Sequence, residues 1–232
     1  MPYTGHMCGR YALFTRKAQL LDQLPLRVRD ADDDAGQPRY NVAPGTEVLA
    51  VRRASDDDEN TAITLDRLWW GYHPHWAGDS APTPINAKAE KVATSKYYAG
   101  AFARQRCLIP ADGWYEWLAT EHGKQPHFIC RQDRSPVWLA GIWSARPDGT
   151  PGLAIITHDA RGVATEVHSR MPLALDERCL TEWLDPHMTD RESVRQLIRP
   201  LPAELLSHWP VSREVNRVGN DRATLIEPIN PA

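Results

Sequence analysis

Short runs of β-branched, aromatic and leucine residues dominate the middle of the chain and predict β-strands. They cover Glu47–Arg53, Ile63–Tyr72, Cys107–Leu118, His127–Arg131, Val137–Ser144 and Leu153–Thr157. Asp, Gly and Pro residues separate several of these runs. Because strand follows strand without a helical pattern in between, the order favours mostly antiparallel pairing.

Apolar residues at helical spacing predict a few short helices around the strands. Thr15 would cap a helix through Leu24, Thr94 one through Gln105, Asp176 one through Leu184, and Thr189 one that ends at Pro200. No internal repeat and no low-complexity linker divides the chain. The pattern predicts a single α+β domain with a strongly bent, mostly antiparallel sheet or open barrel and peripheral helices.

Composition limits the class of protein. The 232 residues carry 27 Lys and Arg against 30 Asp and Glu, a net charge of −3, which on average argues against a strongly basic nucleic-acid binder. The longest apolar run, Val137–Trp143, is too short to span a bilayer. Without a secretory signal pattern, we expect a cytoplasmic protein that binds no membrane.

Several sequence features resemble metal sites but fail on inspection. The first acidic cluster, Asp30 to Asp34, has Ala35 and Asn41 where a calcium loop needs Gly and Glu. It and a second acidic run, Asp56–Glu59, are interpreted as solvated loops. His73 and His75 alone do not complete a zinc site, and the four cysteines form no CxxC pair. We therefore expect no metal and no cofactor, and we expect Cys107, Cys130 and Cys179 to be buried thiols.

Four residues have chemistry suited to covalent catalysis. Cys8 supplies a thiol, His168 an imidazole and Asn86 an amide, while Glu116 lies among aromatic residues that would desolvate it and raise its pKa. Such a set could form a nucleophilic site with acid–base support. The residues alone leave open the alternative that these are ordinary buried side chains.

An ordered set of motifs then points to a family. The segments are Met7–Tyr11 (MCGRY), Arg39–Gly45 (RYNVAPG), Trp69–Tyr72 (WWGY), Ile85–Glu90 (INAKAE), Cys107–Trp117 (CLIPADGWYEW), Leu139–Trp143 (LAGIW), Val167–Pro172 (VHSRMP) and His208–Ser212 (HWPVS). Together they resemble the SOS-response-associated peptidase (SRAP) family, whose members act as covalent sensors of abasic sites in single-stranded DNA.

The resemblance implies that Cys8 becomes the first residue once Met7 is removed. Its amine would form a Schiff base with the aldehyde of the open abasic sugar, and its thiol would close a thiazolidine ring. By the same resemblance, Glu116 would move protons, His168 would assist opening of the sugar ring, and Asn86 would hold the adduct. Both nucleophiles suit neutral pH, because an α-amine has a pKa of about 7.7–8.0 and a thiol of about 8.5.

The resemblance also suggests which residues contact DNA. Arg10, Lys88, Lys96 and Arg170 would contact phosphates, and Trp76 and Trp117 would stack on bases, whereas Trp138, Trp143 and Trp183 are expected in the core. Many family members have Arg at the position of Lys88, and lysine loses the bidentate geometry. The stretch from Asn86 to Arg106 carries five basic residues against Glu90, a local charge of +4 that favours DNA despite the acidic average.

Two points concern alternatives. The prefix Met1–His6 would leave Cys8 internal, so we expect it to be absent or removed, with the domain spanning 7–232. The expected partner is single-stranded DNA with abasic sites, bound by a monomer that joins the nucleoid on DNA. A thiol autopeptidase of the N-terminal-nucleophile type is the alternative function, with lyase or crosslink-reversal activity as an addition, and a non-covalent binding module is a third.

Overall fold

The computed structural model describes residues 8–32, 36–53 and 63–229. The strands are β1 (Tyr11–Leu13), β2 (Arg29–Asp30), β3 (Arg39–Val42), β4 (Glu47–Arg53), β5 (Ile63–Trp70), β6 (Asn86–Lys88), β7 (Arg106–Ala111), β8 (Gly113–Thr120), β9 (Gly123–Arg131), β10 (Val137–Ala145), β11 (Pro151–Asp159), β12 (Arg170–Pro172), β13 (Ala174–Leu175) and β14 (Leu206–Pro210). The α-helices are α1 (Lys17–Asp22), α2 (Ala89–Val92), α3 (Ala99–Arg104), α4 (Leu180–Trp183) and α5 (Arg191–Leu197). Short 3₁₀ helices cover Gly162–Glu166, Glu177–Cys179, Ala203–Leu205, Arg213–Asn216 and Ala223–Ile226.

The strands form two sheets. The smaller sheet has the order β14-β9-β8-β1-β3, and the larger has the order β12-β11-β10-β7-β4-β5-β2, with β13 beside β10 and β6 beside β11. Most pairs are antiparallel, but β11 pairs in parallel with β6 and with β5, and β2 pairs in parallel with β5. The larger sheet bends far enough for β5 to meet β11 at Gly152 and Leu153. This confirms the predicted α+β fold with a bent, mostly antiparallel sheet.

The smaller sheet is the middle layer of the molecule. On one face, Trp114 of β8 packs into the main core together with residues of the larger sheet such as Trp70. On the other face, Tyr115 packs with Val215 and Leu225 of the C-terminal segment in a second apolar cluster. Since successive strand residues point to opposite faces, the sequence of β8 divides its side chains between these two layers.

The predicted core residues are confirmed. Trp138, Trp143 and Trp183 are buried in the main core. Each of the four cysteines is a buried free thiol, Cys8 included. Among the described residues, we find no helix with the length and apolarity needed to cross a membrane.

The single strand predicted over Cys107–Leu118 was wrong, because the chain changes sheets at Asp112. The side chain of Asp112, which is 2% exposed, accepts hydrogen bonds from the main-chain nitrogens of Phe14 (2.6 Å) and Thr15 (2.8 Å) and from the Thr15 hydroxyl (2.5 Å). The turn is therefore stabilised by a carboxylate that accepts hydrogen bonds from residues distant in sequence. The apolar pattern on both sides of Asp112 gives no sign of it.

Three predicted helix starts were also misplaced. Thr15 donates its hydroxyl to Asp112, and α1 begins at Lys17 without a side-chain cap. Thr94 donates its hydroxyl to the Lys91 carbonyl (3.3 Å), and α3 begins only at Ala99. The cap of α5 is Asp190 rather than Thr189, since its carboxylate accepts from the Ser193 nitrogen (2.8 Å).

Other predictions about the periphery had mixed outcomes. The Asp176 cap is confirmed, although it opens a 3₁₀ turn that continues into α4. The acidic residues Asp30 and Asp32 form ion pairs with Lys17 (3.0 and 3.5 Å), so this part of the first cluster is not freely solvated. The prefix Met1–His6, the acidic residues Asp33 and Asp34, and the run Asp56–Glu59 lie outside the described residues.

A glycine at the start of β8 permits the close contact with β9. A Cβ on Gly113 would lie 2.6 Å from the Ile129 carbonyl oxygen and 2.4 Å from Phe128 Cζ. We expect Gly113→Ala to lower the free energy of unfolding by about 1–3 kcal/mol, because the ladder cannot absorb the methyl group. The matched control is Gly100→Ala in α3, where nothing lies within 4 Å and where alanine should stabilise by about 0.5–1 kcal/mol. Urea denaturation of both variants tests this, and equal effects would contradict it.

Candidate active site

The main-chain nitrogen of Cys8 lies against the carboxyl group of Glu116. Two residues separate Cys8 from β1, and Tyr11 of β1 pairs with Trp114 of β8. This antiparallel register brings together two residues 108 positions apart, and the Cys8 N–H donates to Glu116 Oε1 at 2.9 Å. Cys8 is 3% exposed and has a φ of 48°, in the left-handed region that few non-glycine residues occupy.

Burial controls the protonation of this pair. Loss of water raises the pKa of Glu116 to about 7, against the opposing effect of its hydrogen bonds with Cys8. Burial also raises the pKa of the Cys8 thiol well above its ordinary value, and the neighbouring Glu116 carboxylate adds to the rise. At neutral pH the thiol is therefore protonated while the carboxyl group exchanges its proton readily. The nitrogen is an amide as long as any residue precedes Cys8.

Arg170, in the larger sheet, acts on the Cys8 thiol through its charge. Its guanidinium donates to both oxygens of Glu90 (2.7 and 3.0 Å), to Asp159 (2.6 Å) and to the carbonyl of Thr157 (2.7 Å). Its positive charge lowers the pKa of the Cys8 thiol, although by less than burial raises it. Arg170 is therefore held by the protein with its charge within reach of the Cys8 side chain.

The imidazole of His168 is oriented by its own chain. Its Nδ1 accepts a hydrogen bond from the Arg170 main-chain nitrogen at 3.0 Å. The same Nδ1 lies 3.2 Å from the Arg170 carbonyl oxygen, which could accept only from a protonated Nδ1; in the neutral tautomer that accepts from the main-chain N–H, the proton is on Nε2. The half-buried ring therefore offers Nε2–H as a donor.

Asn86 and Lys88 lie on the other flank of β11. Strand β6 pairs in parallel with β11, which places Asn86 beside Ile155 and Lys88 beside Thr157. The same Thr157 accepts from Arg170, so β11 joins β6 to the Arg170 group. Asn86 is half-buried and Lys88 is exposed.

Two of the predicted DNA contacts, Arg10 and Trp117, have hydrogen-bond partners elsewhere in the protein. The Arg10 side chain is 3% exposed, and its guanidinium donates to Asn41 Oδ1 (2.8 Å) and to the Val215 carbonyl (2.9 Å). Trp117 is next to Glu116 in β8 and so points to the opposite face, where it packs on the second cluster and donates to Asn216 (2.8 Å). Both groups contact the C-terminal segment; the Arg10 guanidinium is buried there, whereas Trp117 is only partly buried.

Other predicted contacts are accessible to a ligand. Trp76 is 59% exposed and has its ring edge-on to Tyr97, with ring centroids 5.6 Å apart. Lys96 and Arg104 are exposed. Arg106 is buried against main-chain carbonyls, including those of Trp183 (2.6 Å) and Asp185 (2.6 Å). Without Arg106, the exposed charge between Asn86 and Arg106 is 4 − 1 = +3, lower than the sequence count but still basic.

The groups that hold Arg170 were not predicted from the sequence. Glu90, Asp159 and Thr157 belong to three different segments of the chain and share no motif. Glu90 was counted only as a local negative charge, and its place in the site follows from the pairing of β6 with β11. In the sequence alone, a carboxylate two residues after the short strand β6 is a weak indication of a site residue.

Candidate metal ligands do not cluster among the described residues. Throughout 8–32, 36–53 and 63–229, no group of three His, Cys, Asp or Glu side chains converges. His73 is buried and lies 3.3 Å from the Thr83 hydroxyl through its Nδ1.

Fold and site define a class of protein: a two-sheet α+β domain in which a cysteine ahead of the first strand meets a buried glutamic acid. The family model described as "SOS response associated peptidase (SRAP)" matches residues 7–218. The chain therefore belongs to the SRAP family, and the resemblance inferred from its motifs is confirmed.

Curated relatives carry a common name. The chain is 37% identical to the abasic site processing protein YedK of Escherichia coli over 96% of this chain and 100% of the relative. It is 31% identical to YoqW of Bacillus subtilis (95% and 99%) and 29% identical to HMCES of Gallus gallus (96% and 78%), both named abasic site processing proteins.

Solved structures share the fold. The crystal structure of a phage-related protein of Bordetella bronchiseptica superposes with a TM-score of 0.72 at 34% identity, covering 89% of this chain and 95% of that one. A protein from Bacteroides thetaiotaomicron superposes with a TM-score of 0.78 at 17% identity, covering 96% and 100%. The second likeness supports the fold alone.

Proposed function

We propose that this protein processes abasic sites in single-stranded DNA by covalent capture through Cys8 as the first residue. The observation that carries the proposal is the contact of the Cys8 nitrogen with Glu116, a buried acid whose pKa is about 7. Relatives named abasic site processing proteins support the same substrate class. The aldehyde of the ring-opened abasic sugar is the electrophile.

The reaction has three steps at the Cys8 position. The amine adds to the aldehyde carbon to give a carbinolamine, which loses water to form a Schiff base. The protonated thiol then adds across the C=N bond, so a C–S bond forms and its proton passes to nitrogen. Overall, one water leaves for each adduct.

Protein groups move the protons. Glu116 takes a proton from the attacking nitrogen and returns one to the departing hydroxyl, a role suited to a carboxyl group whose pKa is raised by burial. It then relays the thiol proton to the ring nitrogen. His168 presents Nε2–H for donation to the sugar ring oxygen during ring opening, and Asn86 holds the adduct from the β6 side.

The test is adduct formation with protein that begins at Cys8. Incubation with an abasic oligonucleotide should give a denaturation-resistant product whose mass is the sum of both molecules less one water. A strand with tetrahydrofuran at the same position has no aldehyde and should give none. Cys179→Ala, which removes another buried free thiol, should react normally. Lack of adduct, or an adduct that survives Cys8→Ala, would overturn the proposal.

The exposed indole near the basic stretch supplies a stacking platform. We expect Trp76→Ala to weaken binding of undamaged single-stranded DNA by about 1–3 kcal/mol, the usual contribution of one base stacked on an aromatic ring. The control is Val218→Ala, which removes another exposed apolar side chain (56%) and should leave affinity unchanged. Fluorescence anisotropy measures both, and equal affinities of the Trp76 variant and the parent would contradict this role.

A further inference from the structure

A pocket of about 300 Å³ is lined in part by Glu90, the carboxylate that pairs with Arg170. Its walls include His158 of β11, Glu90 of α2, and two arginines, Arg161 and Arg195. Leu173 and Ile198 supply apolar surface. The pocket therefore combines apolar walls with both acidic and basic groups at the end of β11 that also holds Arg170.

The strongest sign of a ligand is His158. The residue is 8% exposed, and its Nε2 is buried without a hydrogen-bond partner in the described protein. Burial, with the charges of Arg161 and Arg170, lowers the pKa of His158 to about 4, so the ring is neutral at pH 7. A buried polar nitrogen without a partner is unfavourable; because Nε2 has almost no accessible surface, the His158 ring, which lines the pocket, would have to turn towards a ligand there to gain one.

The charges around the pocket argue against a simple anion. Glu90 carries a carboxylate that Arg170 holds in a bidentate ion pair. Arg195 lies 3.7 Å from Glu192, which partly offsets its charge. A phosphate in the pocket would be repelled by the nearby Glu90 carboxylate. A neutral molecule that has flat apolar faces and hydrogen-bond donors and acceptors along one edge fits the lining better.

We propose that this pocket binds the unpaired base of a nucleotide next to the abasic residue. This inference rests on the proposed function. The Glu90 carboxylate lines the pocket and pairs with Arg170, and the charge of Arg170 also acts on the Cys8 thiol. The base edge would pair with His158 Nε2, and its faces would lie against Leu173 and Ile198. An arginine guanidinium can also stack on a base, and Arg161 is exposed at the rim.

The experiment is a double-mutant cycle that combines a change in the DNA with a substitution in the protein. Strands with one tetrahydrofuran residue, which cannot crosslink, are compared with strands carrying a second one on its 5′ or 3′ side. The parent protein should bind about five- to tenfold more weakly when the base on one side is missing. His158→Ala should show the same loss with the base present and no further loss without it.

A second variant inside the pocket and one outside it make the outcome decisive. Arg161→Ala, at an exposed position, should also reduce the penalty for the missing base and covers the case in which His158→Ala does not fold. Arg213→Ala, at another exposed arginine outside the pocket, should retain the full penalty. No penalty on either side in the parent, or an equal penalty in parent, His158→Ala and Arg161→Ala, would overturn the proposal.

The two proposals fail separately. If abasic DNA forms the Cys8 adduct but the cycle shows no coupling, the pocket assignment is wrong and the covalent function stands. If the cycle shows coupling but no adduct forms, the pocket is a base site on a protein without covalent chemistry.

Discussion

Protein that retains even Met7 ahead of Cys8 should form no stable adduct with abasic DNA, whereas protein beginning at Cys8 should react fully. In the longer form the nitrogen is an amide, whose lone pair is delocalised into the carbonyl group. Only the thiol could then attack the aldehyde, which gives a reversible hemithioacetal. Mass spectrometry after denaturation should show adduct in one sample alone.

The same measurement addresses how a prefix would be removed. Protein with residues ahead of Cys8 is followed by mass, beside its Cys8→Ala variant. If both lose the prefix at the same rate, the Cys8 thiol does not cleave it and the autopeptidase alternative fails. A stable adduct from the form that retains Met7 would contradict the thiazolidine itself.

Replacing Glu116 with glutamine should slow adduct formation by about 10²–10⁴-fold, the usual contribution of a positioned acid–base group. The glutamine amide oxygen would still accept the hydrogen bond from the Cys8 nitrogen, but the side chain would not carry a proton. Non-covalent binding of undamaged DNA should not change. The control is Glu121→Gln, an exposed acid in the turn that follows β8, which should react like the parent.

The same variant should be more stable than the parent at high pH. The pKa of Glu116 rises from its usual 4.5 in the unfolded chain to about 7 on folding, so the folded state binds the extra proton. Ionisation of the buried Glu116 carboxyl group lowers the stability of the folded state. This loss is absent below about pH 4.5, grows as pH rises towards 7, and is constant above. In protein with residues ahead of Cys8, we expect Glu116→Gln to raise the free energy of unfolding by about 3 kcal/mol at pH 8 and not at pH 4.

The opposite signs of these two effects separate catalysis from folding. A variant that reacts slowly because it is misfolded would be less stable at pH 8, not more. Urea denaturation at both pH values, beside single-turnover crosslinking, provides the comparison. Equal stability of parent and Glu116→Gln across the range would show that burial does not perturb this carboxyl group.

The sequence predicted the parts of the site better than their arrangement. Aromatic neighbours of Glu116 correctly indicated a desolvated acid, because local burial depends on adjacent residues. Its contact with Cys8 depends on the register of β1 against β8, which no local pattern encodes. The alternation rule could have separated Glu116 from Trp117, since adjacent strand residues face opposite sides.

Long-range polar contacts account for most of what the sequence did not predict. Asp112 ends β7 because its carboxylate binds main-chain nitrogens of residues 14 and 15. Arg170 was predicted as a phosphate contact, and the structure gives it partners from β11 and α2. Such partners become visible only when strands are paired in space.

The position of β1 has a mechanical consequence. Cys8 precedes a strand that lies inside the smaller sheet, flanked by β8 and β3. DNA attached at Cys8 would pull along the axis of this internal strand, so the load would shear its hydrogen bonds on both sides together instead of peeling an edge strand bond by bond. Under the proposed function, the lifetime of such an attachment under load would be set by the unfolding rate of the protein under force.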